Sequence, residues 1–367
     1  MCTAGNCRIL NYRDFDSHLM QAIIDKVHAA IAAKAPLQIR AGGSKDWYGN
    51  APLGELFDIS MHRGIVEYEP VELVLTAKAG TSLAEIEALL AANGQMLPFE
   101  PPHYGELATL GGALACGFSG PRRAHAGSAR DALLGVQLLD GRSDVLNFGG
   151  KVIKNVAGYD VSRLMAGALG ALGVILQASF KVLPRPANEI TLQFELDQGS
   201  AIARMNQLVG QLLPISAAAW VGGAMMLRLE GSAVGIHAAQ VKLGGEVNQH
   251  GPAFWLSARE QTAALFAGDT PLWRLSVPAT TPPFALPGKQ AITWGGAQRW
   301  LKSDAPAELI RSAAAQAGGH ATLFRATDKS AGVFQPLPKA MLALHQRLKQ
   351  HFDPHGIFNR GRLYAEF

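Results

Sequence analysis

The chain has 367 residues, of which 48% are hydrophobic and 17% charged, and its formal net charge is +4. This composition is typical of a well-packed globular protein of two or three domains, and it excludes an intrinsically disordered chain. Because the Lys and Arg residues are scattered, it also excludes the dense basic stripe of a nucleic-acid-binding surface.

The three cysteines, Cys2, Cys7 and Cys116, are too few for a disulfide framework. Their spacing matches neither a zinc site nor an iron–sulfur site, so no metal ligands are predicted. The sequence has no apolar signal run at its start and no uncharged stretch of about 18 apolar residues. We therefore expect a cytoplasmic protein without direct membrane insertion.

The first half predicts alternating helices and strands. Ser17 can cap a helix, since Leu19, Ile23, Val27 and Ile31 recur at helical spacing. A strand at 37–40 follows, then strands at 56–59 and 73–79, and a helix that opens with a capping box at Ser82. Residues 133–139 and 143–148 predict a strand pair joined by Asp140-Gly141, and residues 173–182 predict another strand.

Pro184-Arg185-Pro186 predicts a domain boundary, because proline removes a hydrogen-bond donor and fixes φ. Beyond it the chain mixes strands (190–196, 217–229, 272–277, 291–294 and 320–324) with helices (201–213, 236–243 and 305–317). This order predicts an α+β sheet covered by helices on one face. Residues 337–352 predict an amphipathic helix that Asp353-Pro354 ends.

Two Gly-rich segments point to a ligand. In Arg40-Ala41-Gly42-Gly43-Ser44, adjacent glycines let successive amides converge on an anion, and Ser44 adds a hydroxyl donor. The segment is neither G-x-G-x-x-G nor a P-loop, and an ordinary turn is the alternative. Residues 108–120 are mostly small, which suits a backbone lying against a large flat ligand or, alternatively, a buried helix–helix contact.

A third cluster joins Lys154-Asn155-Val156-Ala157-Gly158-Tyr159-Asp160 to a Gly-spaced run at 167–175. With the first two segments and the terminal Phe352-Asp353-Pro354-His355-Gly356-Ile357-Phe358-Asn359-Arg360-Gly361-Arg362, this series resembles the vanillyl-alcohol-oxidase-type FAD-binding family with its PCMH-type domain. Pro101-Pro102-His103-Tyr104-Gly105-Glu106, Gly120-Pro121-Arg122-Arg123 and Trp294-Gly295-Gly296-Ala297-Gln298-Arg299 more narrowly resemble the smaller FAD-binding subunits of bacterial glycolate oxidase (glycolate dehydrogenase) complexes.

The resemblance implies an α+β fold in which a two-part PCMH-type FAD-binding domain (1–184) is joined to a smaller α+β cap domain with an antiparallel sheet (185–335). A C-terminal helix and tail (336–367) would return to the first domain. The implied cofactor is FAD. The residues implied to bind it are Arg40, Ala41, Gly42, Gly43, Ser44, Lys45, Pro102, Thr109, Leu110, Gly111, Gly112, Ala115, Gly117, Gly173, Val174, Ile175 and Asn359.

Many relatives attach FAD through a histidine in the first loop, where this chain has Ser44-Lys45, so non-covalent FAD is expected. The resemblance also implies a complex with a larger FAD subunit and an iron–sulfur subunit. Any attachment to the inner membrane would be peripheral and would occur through that complex. The implied reaction oxidises glycolate, with D-lactate as a further candidate, to the 2-oxo acid.

Oxidation of a 2-hydroxy acid needs a base at the hydroxyl, a cation at the carboxylate and the flavin. The predicted catalytic residues are His103, Arg122 and Arg299, and the other candidates are His125, His320 and Arg123. The His-Gly-Asp-Gly-Asn-x-His run of related D-2-hydroxy-acid dehydrogenases is missing, Gly318-Gly319-His320 being the nearest approach. An electron-relay or assembly subunit, whose partner oxidises the substrate, therefore stays open as the alternative.

Overall fold

The computed structural model of the chain describes residues 12–150 and 159–367. Its helices are α1 Tyr12–Ala33, α2 Leu83–Ala92, α3 Leu110–Cys116, α4 Arg123–Ala126, α5 Ala129–Ala132, α6 Ser162–Met165, α7 Gln198–Leu208, α8 Ala233–Leu243, α9 Gly251–Glu260, α10 Ala307–Gln316 and α11 Lys339–Phe352. Its strands are β1 Leu37–Arg40, β2 Glu55–Asp58, β3 Ile65–Glu69, β4 Val74–Lys78, β5 Gln95–Met96, β6 Leu133–Leu139, β7 Val145–Gly149, β8 Val174–Lys181, β9 Leu183–Pro184, β10 Asn188–Glu195, β11 Ile215–Val221, β12 Ala224–Gly231, β13 Glu246–Val247, β14 Leu272–Ser276, β15 Lys289–Thr293, β16 Gln298–Lys302 and β17 His320–Arg325.

The first part of the chain builds a five-stranded antiparallel sheet in the order β3-β4-β8-β6-β7. Its central strand β8 is buried along most of its length, as its apolar sequence predicts. Beside this sheet, β1 and β2 form a parallel pair, and Leu37 also bridges to Phe358 of the C-terminal tail. The tail therefore joins the first part of the chain.

The second part forms an eight-stranded antiparallel sheet in the order β13-β10-β12-β11-β15-β16-β14-β17. Helices α7, α8 and α10 pack their apolar residues on one face of this sheet. Side chains alternate along β14, so Trp273 and Leu275 face α10 while Leu272 and Arg274 face the first part of the chain.

A buried ionic network joins the two parts. Arg122, in the first part, forms a two-bond ion pair with Glu230 of β12, one bond being 2.7 Å. Arg228, two residues before Glu230, reaches Glu100 of the first part at 2.9 Å. Since charges buried at such a contact are costly unless paired, this network constrains how the sheet faces the first part.

Most elements lie close to their predicted positions, with some differences. Helix α1 begins at Tyr12, so the predicted cap at Ser17 is wrong, and Asp16 instead pairs with Lys78 of β4. Helix α7 ends at Leu208, short of the predicted 213, because Gly210 takes a left-handed conformation. The elements that were not predicted are α9, the short helices α4, α5 and α6, and strands β3, β5, β9, β13 and β16.

The predicted boundary at Pro184-Arg185-Pro186 falls between β9 and β10, and the domain limits themselves stay predictions. Residues 154–158 of the third predicted cluster lie outside the described residues. Within the described ranges, no helix combines the length and apolar character needed to cross a membrane.

Candidate functional site

Three distant segments and the C-terminal tail meet around one cleft, here called the cofactor cleft. They are the loop after β1, helix α3 with its cap, and the run that enters β8. Most of the residues predicted to bind FAD line it: Arg40, Ala41, Gly42, Gly43, Ser44, Lys45, Thr109, Gly111, Gly112, Ala115, Gly173, Ile175 and Asn359.

Four predicted cofactor residues do not line the cleft. Leu110 and Val174 are fully buried in the core, and Gly117 ends α3 with a φ of 64°. Pro102 lines a separate pocket towards the second part. Lining residues that were not among the predicted cofactor residues include Asp46, Ile59, Cys116, Leu169, Gly170 and Arg362.

The loop after β1 approaches the second Gly-rich segment very closely. A Cβ added at Gly42 would lie 1.4 Å from the carbonyl oxygen of Leu107. The next residue, Gly43, has a φ of 69°, which a glycine adopts without strain. An ion pair of 2.7 Å between Arg40 and Asp46 closes the loop. Glycine at 42 is therefore required for the two segments to meet.

Lys45 supplies a buried cation to the cleft. Its Nζ donates to the carbonyl oxygen of His103 at 3.0 Å and to Ser44 Oγ at 3.1 Å. Burial lowers the pKa of Lys45 because the ammonium is removed from water, and the charge of Glu260 offsets this only in part. Arg362 adds a second cation, held by the carbonyl oxygens of Asn50 and Asp46.

Cys116 lines the same cleft at the end of α3. Burial raises the pKa of its thiol to about 11, an effect that the nearby Lys45 and Arg362 only partly offset. The group is therefore a neutral thiol at neutral pH and a weak nucleophile.

Asn359 ties the tail to both neighbouring segments. Its Oδ1 accepts a hydrogen bond of 2.7 Å from the backbone amide of Ile39, and its Nδ2 donates at 2.5 Å to the carbonyl oxygen of Leu169. The side chain is buried, so each bond satisfies a backbone group that water does not reach. Asn359 thereby fixes the edge of the cleft that β1 and the run before β8 share.

The predicted catalytic residues do not converge on the cofactor cleft. The His103 ring lies beside Glu87, with Nε2 to Oε1 at 3.1 Å, and its backbone amide donates to Glu260. Arg122 belongs to the buried ionic network described above. Arg299 is buried and donates to the carbonyl oxygens of Gly296 and Thr281, both at 2.6 Å.

The other candidates are also dispersed. His125 is exposed on α4, and Arg123 lies over the ring of Trp294 at 4.3 Å. His320 is exposed at the start of β17, after Gly318-Gly319. In residues 12–150 and 159–367, no group of three or more His, Cys, Asp or Glu residues is arranged to hold a metal ion.

A second pocket, here called the cap pocket, lies where the eight-stranded sheet faces the first part. Its apolar walls come from Tyr104 and Phe118 on one side and Trp300 and Phe324 on the other. Its polar lining includes Arg274, Thr293, Gln298, Arg259, Gln261 and Ser119. Sequence reasoning missed Arg274 because it lies in an ordinary apolar strand with no motif around it.

Comparison with known proteins places these features in a family context. Residues 19–149 match the family model of the FAD binding domain. The glycolate oxidase subunit GlcE of Escherichia coli (strain K12) is 48% identical over 346 residues, covering 94% of this chain and 97% of that protein.

More distant relatives match less than half of the chain. The glycolate oxidase subunit GlcD of Bacillus subtilis (strain 168) is 29% identical over 161 residues, or 43% of this chain and 34% of that protein. The D-lactate dehydrogenase of Archaeoglobus fulgidus is 34% identical over 154 residues, or 41% of this chain and 34% of that protein.

A solved structure of alkyldihydroxyacetonephosphate synthase shares the fold, with a TM-score of 0.63 and 14% identity, covering 92% of this chain and 74% of that chain. At this identity the likeness shows the fold alone. The predicted fold, an α+β architecture with an FAD-binding domain and antiparallel sheets, is confirmed, and so is the FAD cofactor.

Proposed function

The chain belongs to the family of the glycolate oxidase subunit GlcE, and from this premise we propose that it is the FAD-binding subunit of a complex that oxidises glycolate to glyoxylate. D-lactate is the second candidate substrate, supported by the D-lactate dehydrogenase among the relatives. The observation that carries the proposal is the cofactor cleft, where residues from four distant parts of the chain meet.

The chemistry of the cleft fits FAD. Small residues from the loop after β1 and from α3 leave backbone exposed for close approach, while Ile39, Ile59 and Ile175 provide apolar surface. Lys45 and Arg362 are cations without a carboxylate partner in the described chain, which suits a pyrophosphate. We therefore assign the phosphates to the end of the cleft near Lys45.

When bound, FAD supplies the acceptor for the hydride equivalent that leaves a 2-hydroxy acid. The chain's own residues would orient the cofactor: the loop after β1 would contact its phosphates, and Asn359 holds β1 against the run before β8. The buried ionic network holds the eight-stranded sheet against the first part of the chain.

The attachment we propose is non-covalent. The first loop has Ser44-Lys45 where many relatives have a histidine, and the Cys116 thiol stays protonated at neutral pH. Acid precipitation tests this: the yellow colour should remain in the supernatant. Colour that stays with the pellet would overturn the assignment.

We further propose that the working partners are a larger FAD subunit and an iron–sulfur subunit. Reconstitution with and without this chain tests the role: glycolate turnover should require it. Full turnover by a complex that lacks the chain would sink the proposal.

The isolated chain decides between oxidation of the substrate and electron relay. The specific observation behind the relay alternative is that His103, Arg122 and Arg299 are each engaged away from the cleft. Anaerobic addition of glycolate or D-lactate to the purified FAD-loaded chain gives the answer. Rapid bleaching of the flavin assigns the chemical step to this chain, and unchanged flavin assigns it to the partner.

A further inference from the structure

Strand β14 places a cation in the wall of the cap pocket. Arg274 and Leu272 occupy the face of β14 that is directed to the first part, and pairing with β16 places Trp300 opposite Arg274. The guanidinium lies 5.4 Å from the ring centroid of Phe324 and 5.7 Å from that of Phe118. A charged group is thus held among aromatic rings at the contact between the two parts.

The Arg274 guanidinium makes few hydrogen bonds within the protein. Its Nη2 donates to the Tyr48 hydroxyl at 3.1 Å, and it pairs with no carboxylate among the residues that the structure describes. A guanidinium offers five N–H donors in a planar fork that suits a carboxylate. Since Arg274 lines the cap pocket, its remaining donors are available to a ligand there.

Three arginines at or near this contact do have a carboxylate partner. Arg122 and Arg228 are paired with Glu230 and Glu100, and Arg259, which also lines the pocket, is paired with Glu260 at 2.7 Å. A charge that is partly removed from water is costly unless a partner offsets it, and Arg274 is half-buried at this contact. The missing counter-charge at Arg274 therefore indicates an anion that binds from outside.

A second donor lines the same pocket. The Thr293 hydroxyl lies 2.6 Å from Gln298 Oε1, an arrangement that holds the Gln298 amide in one orientation. The amide nitrogen Nε2 has no protein partner in the described ranges, so it is free to donate to a ligand. The aromatic walls restrict the pocket to a small molecule.

The cap pocket lies close to the cofactor cleft along the chain and in space. Cys116 lines the cleft, Phe118 lines the pocket, and Tyr48 contacts Phe118 with 4.6 Å between ring centroids. A molecule in the pocket would thus lie close to the cleft.

We propose that the cap pocket binds the carboxylate of a small acid of the 2-hydroxy-acid class, with Arg274 as its counter-ion and Gln298 as a second donor. The acid class rests on the proposed function, whereas the carboxylate site rests on the pocket itself.

Oxalate, a small dicarboxylate that cannot donate a hydride, is the probe. The purified FAD-loaded full chain is titrated with sodium oxalate against sodium chloride of equal ionic strength, by calorimetry and by tryptophan fluorescence, since Trp300 and Trp294 line the pocket. Arg274→Met removes two charge-assisted hydrogen bonds, so we expect it to weaken oxalate binding by about 10- to 100-fold. Arg274→Lys keeps the charge and should weaken it by less.

The matched control is Arg204→Met, because Arg204 is also half-buried but lies on α7, on the opposite face of the sheet. Its oxalate affinity should equal that of the unmodified chain. If Arg274→Met does not fold, Gln298→Leu gives the same test with an expected loss of about tenfold.

Absence of oxalate binding by the unmodified chain, or equal weakening by the Arg274 and Arg204 variants, would overturn the proposal. The flavin-reduction test is independent of this one. If the chain binds oxalate but the complex does not oxidise glycolate, the proposed function is refuted and the carboxylate site stands. If the complex oxidises glycolate but the chain does not bind oxalate, only the carboxylate site is refuted.

Discussion

Replacing Gly42 by alanine tests the contact on which the cofactor cleft depends. The new Cβ would lie 1.4 Å from the Leu107 carbonyl oxygen and 3.2 Å from Thr109 Cγ2. The first neighbour is backbone, so no side-chain rotation relieves the overlap, and the loop after β1 must move by about 2 Å to reach ordinary contact. That movement separates the first loop from the second Gly-rich segment.

Overpacking of this kind lowers the free energy of unfolding by about 1–3 kcal/mol. Because the overlap is with backbone, we expect a loss of about 3 kcal/mol for Gly42→Ala. For a domain of this size that corresponds to a fall in Tm of about 6–12 °C. We expect FAD to be lost on desalting, measured as the ratio of absorbance at the flavin band to that of protein.

The control is Gly150→Ala, where an added Cβ meets none of the described residues within 4 Å. It should keep both FAD and Tm. A Gly42→Ala protein that retains stoichiometric FAD and melts within about 1 °C of this control would refute the reasoning.

Three further predictions concern buried groups. Burial raises the pKa of Cys116 to about 11 from its usual 9.0, so alkylation at pH 8 in a Cys2→Ser/Cys7→Ser background should be about 100-fold slower than in urea. Bound FAD should slow it further, and equal rates would contradict both the burial and the site. Burial alone would raise the pKa of Glu230, but the hydrogen bond from Arg122 and the charge of Arg228 lower it below its usual 4.5, so its contribution to the free energy of unfolding is present above that pH and is lost as the pH falls. Glu230→Gln should cost about 3–5 kcal/mol at pH 7 and flatten the acid dependence in urea titrations, whereas the exposed Glu246→Gln should do neither; an unchanged acid limb would refute this. Asn359→Ala leaves the Ile39 amide and the Leu169 carbonyl unsatisfied, and each of these two groups should lower the free energy of unfolding by about 1–3 kcal/mol and weaken FAD retention. The exposed Asn147→Ala should be neutral, and equal FAD retention in both variants would count against the role of Asn359.

Local patterns predicted much of the fold. The strand at 133–139 and the helix at 83 have the predicted starts, because apolar spacing and a Ser cap act over a few residues. Helix α9 was missed because Gly251-Pro252 reads as a break, although proline in the first turn of a helix needs no amide partner. Strand β16 was missed because only two of its five residues, Trp300 and Leu301, are apolar, so its sequence shows neither an apolar run nor an alternating pattern.

The distance along the chain between interacting residues also explains which parts of the candidate site were predicted. Glycines at 42 and 43 are demanded by backbone geometry within one loop, so a sequence pattern reveals them. Whether an arginine is available to a ligand depends on partners far along the chain: Arg122 meets Glu230 across 108 positions.

Arg274 resembles its neighbours in sequence and differs from them only in what the sheet places around it. Pairing in β14 sets Arg274 opposite Trp300 on one side and Thr322 on the other, so the sheet register surrounds it with neutral groups. A shift of one residue in that register would turn Arg274 towards α10 and expose Trp273 to the first part. The availability of this cation is therefore a property of strand pairing, which explains why motif reading selected Arg122 and Arg299 while the structure points to Arg274.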